Sequence, residues 1–259
     1  MNLLCSNQKN LFGHKLIFET LIQLYNSNKL PNKILLSGEN GIGKCTLAYH
    51  LINFVLSKDE EHSYDYKNFE INPENKSFKL IQNNTNPNFN LVDIMEGKKN
   101  IDINQIRDLV LNLNKSSFNL KKRFVLIDNI ELLNNNSVNA LLKTLEEPNE
   151  NINFILINNN KKVLPTLVSR CLNFNVFLTH KESIKVINKI LNENIYDLIN
   201  NELISYHSTP GQLFKLVNFS KEYQIDIKNI SLKDFLNIII SDKIYKKESY
   251  INEFIYSFI

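Results

Sequence analysis

Cysteine is scarce in this 259-residue chain: there are three, Cys5, Cys45 and Cys171, far apart and with no CxxC pair. That excludes a four-cysteine zinc site and a disulfide framework, and a reduced cytoplasmic protein is the simple reading. Long hydrophobic runs are also missing. Nothing approaches the roughly 18 apolar residues of a membrane span, and the opening MNLLCSNQKNLFGH lacks the apolar core of a signal peptide. Charge of one sign is missing too: the net charge of +3 is too small to argue for nucleic acid by itself. There is no internal repeat and no carboxylate set suited to nucleotidyl transfer. What remains is ordinary for a globular protein, with 43% hydrophobic and 22% charged residues. The length allows one large domain or two to three small ones. The Asn runs at 134–136 and 158–160 are loop signals, and the heavy use of Asn, Lys and Ile follows genome composition rather than chemistry.

Only six glycines occur, and three of them fall in GENGIGKCT, Gly38 to Thr46. Gly38, Gly43 and Lys44 have the GxxxxGK spacing of a phosphate-binding loop, in which backbone N–H groups converge on phosphates and the lysine neutralises their charge. The preceding KILLS (33–37) reads as a strand and the following TLAYHLINFVLS as a helix, the context such a loop requires. The alternative is a glycine-rich helix cap. Lys44 argues against it, because a cation at the positive end of a helix is unfavourable without an anion. One residue departs from the pattern: Cys45 stands where a Ser or Thr hydroxyl would bind magnesium, and a thiol is a poor ligand for that hard cation.

Along the chain, 14–28 has helical spacing, 59–90 reads as a polar insertion with at most one strand, and PNFNLVDIM (87–95) as a second strand. Asp102 starts a helix, RFVLID (123–128) is a buried strand, and SVNALLKTLEEP (137–148) is a helix capped by Ser137 and stopped by Pro148. NFILINNN (153–160) is another strand, LPTLVSRC (164–171) a short helical turn, and LNFNVF a last strand. Strands alternating with helices predict a parallel α/β sheet covered on both faces. After about residue 178 only helical patterns remain.

Asp128, ending its strand, fits the acid that holds magnesium in phosphate-loop enzymes. The next residue is Asn129, where many hydrolases carry a glutamate; an amide can position water but cannot take its proton. Thr46 lies one step past the hydroxyl position and points elsewhere. The candidate nucleotide site therefore comprises Gly38, Gly41, Gly43, Lys44, Cys45, Thr46, Asp128, Asn129 and Asn158, with no metal assigned. Arg170 is either a surface arginine or a finger offered to a neighbour's γ-phosphate. The basic KSSFNLKKR (115–123) reads as a solvated loop, with weak phosphate contact as the alternative.

These motifs resemble the delta prime-type subunits of the bacterial DNA polymerase III clamp loader, which belong to the AAA+ proteins. LFGH (11–14), GENGIGKCTLA (38–48), INQIRDL (103–109), VLIDNIELLNNNSVNALLKTLEEP (125–148) and LPTLVSRC (164–171) carry the resemblance, with STPGQL (208–213) similar to a lid-domain helix start. The resemblance implies an AAA+ core over 1–178, a helical lid over 179–219 and a collar-like segment over 220–259, shorter than a full collar. It implies a hetero-pentamer with tau/gamma-like motor subunits and a delta subunit, which loads the sliding clamp onto primed DNA. It also implies ATP or ADP as the nucleotide, magnesium weakly held or absent, and Arg170 reaching the ATP of a neighbouring motor subunit. Cys45 and Asn129 place the chain with subunits that do not hydrolyse ATP; an active motor subunit is the alternative. The zinc-binding cysteine insertion of some relatives is missing, so no zinc is expected. Gln212 stands where the lid motif carries arginine.

Overall fold

The computed structural model describes residues 3–95, 97–115, 121–146 and 151–256. The chain divides into two units, one of residues 1–38 and 44–176 and another of residues 39–43 and 177–259.

The first unit is built on five parallel strands: β1 (Lys33–Ser37), β2 (Phe89–Val92), β3 (Arg123–Ile127), β4 (Ile152–Asn158) and β5 (Leu172–Asn175). They lie in the order β2-β3-β4-β1-β5. All five residues of β3 are buried, and β4 is buried up to Asn158, as expected of central parallel strands covered on both faces. The edge strand β5 is largely exposed. Because β1 lies between β4 and β5, the β4–β5 connection crosses over it, and the carboxyl ends of β1, β3 and β4 open on one edge of the sheet. That edge is where open α/β sheets hold ligands.

Helix α1 (Lys15–Asn26) precedes β1, and α2 (Lys44–Leu56) follows the glycine loop. Helix α2 is buried on nearly every side, with Leu47, Leu51 and Ile52 at 1% exposure or less. Such a helix must satisfy its polar side chains internally. His50 Nδ1 meets the Tyr64 hydroxyl at 2.8 Å, and Asn53 Nδ2 donates to Asn75 Oδ1 at 3.0 Å. Both partners come from the 59–90 segment. This stretch holds no strand before β2. It carries helix α3 (Lys76–Gln82), capped by Asn75, and isolated bridges such as Asp65 with Glu70. Its aromatics Tyr64 and Phe69 pack on Phe18.

Helix α4 (Ile103–Leu113) starts at a capping box of Asp102 and Gln105. Helix α5 (Asn135–Glu146) begins two residues earlier than the sequence suggests. Asn134 Oδ1 accepts from Ser137 N, whereas the buried Ser137 hydroxyl donates to the Ile101 carbonyl. Ser137 therefore joins α5 to the segment before α4 rather than capping its helix. The predicted stop at Pro148 lies outside the described residues. So do residues 116–120 of the basic stretch, but two of its other cations are fixed. Arg123 is 9% exposed and donates to the carbonyls of Asn112, Leu113 and Lys115, the open end of α4. Lys121 donates to the Leu56 carbonyl, the last of α2. These two cations stitch helix ends and are not a solvated loop. The short helix α6 (Pro165–Val168) leads into β5.

The second unit is helical: α7 (His180–Leu191), α8 (Ile195–Leu198), α9 (Pro210–Tyr223), α10 (Leu232–Ser241), α11 (Ile244–Lys247) and α12 (Ser249–Tyr256). Capping boxes start α7 (Thr179, Glu182) and α9 (Thr209, Gln212). Edge-on contacts of Phe219 with Phe235, and of Phe235 with Phe254, form its aromatic centre. Among the described residues no helix is long and apolar enough to cross a membrane.

Candidate functional site

In the first unit, the carboxyl ends of β1, β3 and β4 bring together Gly38, Lys44, Cys45, Thr46, Asp128, Asn129 and Asn158. Gly38 N donates to the Asn158 carbonyl, continuing the β1–β4 ladder by one bond. Lys44 is 3% exposed and its Nζ donates to the Gly38 carbonyl at 2.9 Å. A buried ammonium at the head of a helix is the electrostatic provision for an anion.

The acid end is a network of side chains. Asn129 has φ 56°, a left-handed conformation that asparagine tolerates better than most residues. Its N–H donates to Asp128 Oδ1 at 2.8 Å, and its Nδ2 donates to Asp93 Oδ1 at 2.8 Å. Asn159 Nδ2 donates to Asn129 Oδ1 at 2.7 Å and to Glu131 Oε1 at 2.9 Å. The Asn129 amide is thus engaged on both sides. Asn158 turns its side chain away, accepting from Lys161 N at 3.2 Å. Asp93, Glu131 and Asn159 are site neighbours that sequence reasoning missed. Asn159 lies just past the end of β4, where no strand pattern separates it from the other asparagines of 158–160.

Burial, then the nearby Asp93 carboxylate, push the Asp128 pKa up to about 6, against the pull of Asn129 N–H, Cys45 and Lys44. The Cys45 thiol faces both Cys5 and Asp128, and hydrogen bonding and burial hold its pKa well above the usual thiol value. Its bond to Cys5, helped by Thr46, lowers the pKa of Cys5 instead. Cys5 belongs to a single 3-10 turn, Cys5–Asn7, packed on α2. Where a phosphate-loop enzyme places a hydroxyl for magnesium, this protein has a thiol. Among the described residues no group of three or more His, Cys, Asp or Glu could hold a metal ion.

Arg170, after α6, donates from NH1 to the Thr166 carbonyl at 2.7 Å and from NH2 to Glu146 Oε1 at 2.5 Å. Both charged side chains are substantially exposed.

In the second unit, Gly41 and Gly43 have φ of +83° and +97°, as a glycine loop requires. The start of α9 bonds this loop segment: Thr209 Oγ1 donates to the Asn40 carbonyl and Gly211 N to the Gly41 carbonyl, both at 2.9 Å. A Cβ at Gly211 would lie 2.6 Å from Gly41 Cα, so only glycine fits this approach. Gln212 closes the capping box, its Oε1 accepting from Thr209 N at 2.9 Å.

A family model described as "DNA polymerase III, delta subunit" matches residues 13–178. The chain is 29% identical over 234 residues to the DNA polymerase III subunit gamma/tau of Mycoplasma genitalium, covering 90% of this chain and 35% of that protein. It is 33% identical over 138 residues to the subunit delta' of Pseudomonas aeruginosa, covering 53% of this chain and 40% of that protein. The subunit delta' of Buchnera aphidicola from Baizongia pistaciae is 26% identical over 243 residues, 87% of this chain and 70% of that protein. The chain thus spans about a third of the gamma/tau relative's length. With the matched model covering most of the sheet-bearing unit and its phosphate loop, the chain belongs to the DNA polymerase III clamp-loader subunit family.

Proposed function

We propose that this chain is a delta prime-type subunit whose own nucleotide site does not hydrolyse ATP. The observation that carries this reading is the pair of substitutions at the chemical centre. Cys45 offers a soft thiol where magnesium needs a hydroxyl, and Asn129 has its amide engaged by Asp93 and Asn159. Gly38, Gly41, Gly43 and Lys44 suit the phosphates of ATP or ADP in kind; the magnesium position does not suit its ion. The subunit then acts in a hetero-pentamer with tau/gamma-like motor subunits and a delta subunit, in the cytoplasm, loading the sliding clamp onto primed DNA. Residues 1–178 serve as the AAA+ core, 179–219 as the lid and 220–259 as a short collar-like segment.

Arg170 is the residue we assign to chemistry, as a finger reaching the ATP of the adjoining motor subunit. Its bond to Glu146 is an exposed ion pair worth about 0–1 kcal/mol, a small cost for exchanging the carboxylate for a phosphate. The test is ATP turnover by the purified chain alone, then with motor subunits, clamp and primed DNA. The expected result is no turnover alone, and with Arg170→Ala a loss of about a thousandfold at the adjoining site. Unchanged turnover in the Arg170→Ala complex overturns the finger. A second reading, an active motor subunit, is favoured by the gamma/tau similarity across 90% of the chain. Turnover by the chain alone, abolished by Lys44→Ala, would establish it.

A further inference from the structure

We propose that a groove at the amino ends of β2 and β3 is a docking site for an extended, lysine- or arginine-bearing peptide segment of another protein. The groove has a volume of about 600 Å³, within the about 300–1,000 Å³ of ligand-binding clefts. Its walls are the turn after α2, the start of α3 and the residues leading into β2. Because the strands are parallel, it opens on the sheet edge opposite the phosphate loop, so both sites can be filled at once. Two observations carry the proposal. The first is a pair of asparagines, Asn86 and Asn88, which line the groove at 9% and 6% exposure. Asn86 Oδ1 accepts from Asn88 N at 2.9 Å, which leaves Asn86 Nδ2 unused. The Asn88 carbonyl accepts from Phe124 N, but its side-chain amide has no partner among the described residues. Neither amide is sealed in the interior. Polar groups this deep are ordinarily hydrogen-bonded, so these amides call for a partner from outside the chain. A peptide backbone supplies one, since each of its units offers a C=O and an N–H to an amide that can donate and accept.

The second observation is the charge of the rim. Four carboxylates, Asp59, Glu60, Glu61 and Glu74, face two lysines, Lys76 and Lys121. Glu60 is held by Ser77, whose Oγ donates at 2.6 Å and whose N donates at 3.0 Å, and Glu74 pairs with Lys79. Lys121 is turned to the Leu56 carbonyl at 3.0 Å. Asp59 and Glu61 are exposed and belong to no ion pair among the described residues. Among those residues no group of three or more His, Cys, Asp or Glu is arranged to hold a metal ion. The rim therefore attracts a cationic chain and repels the phosphates of nucleic acid. The inference does not depend on whether the chain is a delta prime or a motor subunit, since none of these residues belongs to the nucleotide site.

The test uses the purified full-length chain and a fluorescein-labelled peptide of alternating lysine and glycine, read by fluorescence anisotropy at low and at physiological ionic strength. A peptide of alternating glutamate and glycine is the control. The lysine peptide should bind and the glutamate peptide should not. Asp59→Asn combined with Glu61→Gln should weaken binding about tenfold at low salt and less at physiological salt. Asn88→Leu should weaken it about tenfold at both, because it removes amide hydrogen bonds and no charge. Circular dichroism checks that each variant is folded. Asp59 and Glu61 are exposed, so the double variant keeps the test decisive even if Asn88→Leu does not fold. Failure of the lysine peptide to bind, equal binding of the glutamate peptide, or unchanged binding by the double variant overturns the proposal. So does unchanged binding by folded Asn88→Leu, which would place the lysines on surface charge alone.

Discussion

Replacing Asp128 with asparagine is expected to stabilise the protein at neutral pH and to change little in acid. The folded carboxyl titrates near 6 instead of 3.8, chiefly because it is buried and then because Asp93 lies beside it. A raised folded pKa means that the folded state holds the proton more tightly than the unfolded one. The associated stability is complete below pH 3.8 and is lost as the pH rises through 6. At 1.36 kcal/mol per pKa unit the cost of ionising Asp128 approaches ~3 kcal/mol at neutral pH, and it shrinks to ~0.5 kcal/mol near pH 4. The carboxyl is only half-buried, so solvent screening brings the neutral-pH figure to about 1–3 kcal/mol. Asparagine keeps an oxygen to accept from Asn129 N, now at 2.8 Å, and carries no charge. Denaturant unfolding of both proteins at about pH 7.5 and about pH 4 gives the double difference directly. An asparagine variant less stable than wild type at neutral pH, or an equal difference at both, would refute the electrostatic account. It would also mean that the carboxylate is satisfied by partners stronger than those seen here.

His50 should show the opposite trend. It is fully buried, and burial lowers its pKa from 6.5 to about 4 with the Gln8 carbonyl opposing. Its stability is present above pH 6.5 and is lost, up to about 3 kcal/mol, as the pH falls through 4. His50→Gln should remove that loss. Because Asp128 and His50 slope in opposite directions over the same window, wild type should be flat there while each variant tilts its own way, measured by the same unfolding series. Gly211→Ala should destabilise the helical unit by about 1–3 kcal/mol, since the added Cβ meets backbone atoms of Gly41 that cannot rotate aside. A wild-type unfolding midpoint for that variant would show that the α9 start yields to the new methyl group.

Much of the sheet was legible because each strand is a short apolar run flanked by turn residues, and buried parallel strands need little else. Asp102 as a cap, Thr209 with Gln212 as a helix start, and the strand–glycine loop–helix unit are local signals that the structure repeats. The misses fall where partners come from far along the chain. The polar 59–90 stretch hides α3 because its apolar side chains are few and its order depends on Asn53 and His50 of α2. Arg123 reads as one more cation in a basic run, and only the open end of α4 makes it a buried hydrogen-bond donor.

The sequence by itself determined the parallel α/β core, the phosphate-loop spacing and the two departures at Cys45 and Asn129. These rest on local periodicity and on residue chemistry at fixed offsets. Tertiary structure alone decided which asparagine of 158–160 joins the acid network, and that Asn129 takes a left-handed conformation between Asp93 and Asn159. It alone made Arg123 a buried donor to the open end of α4. Backbone direction at a strand end and side-chain approach across tens of residues are set by packing of the whole sheet and its helices, and no local pattern encodes them.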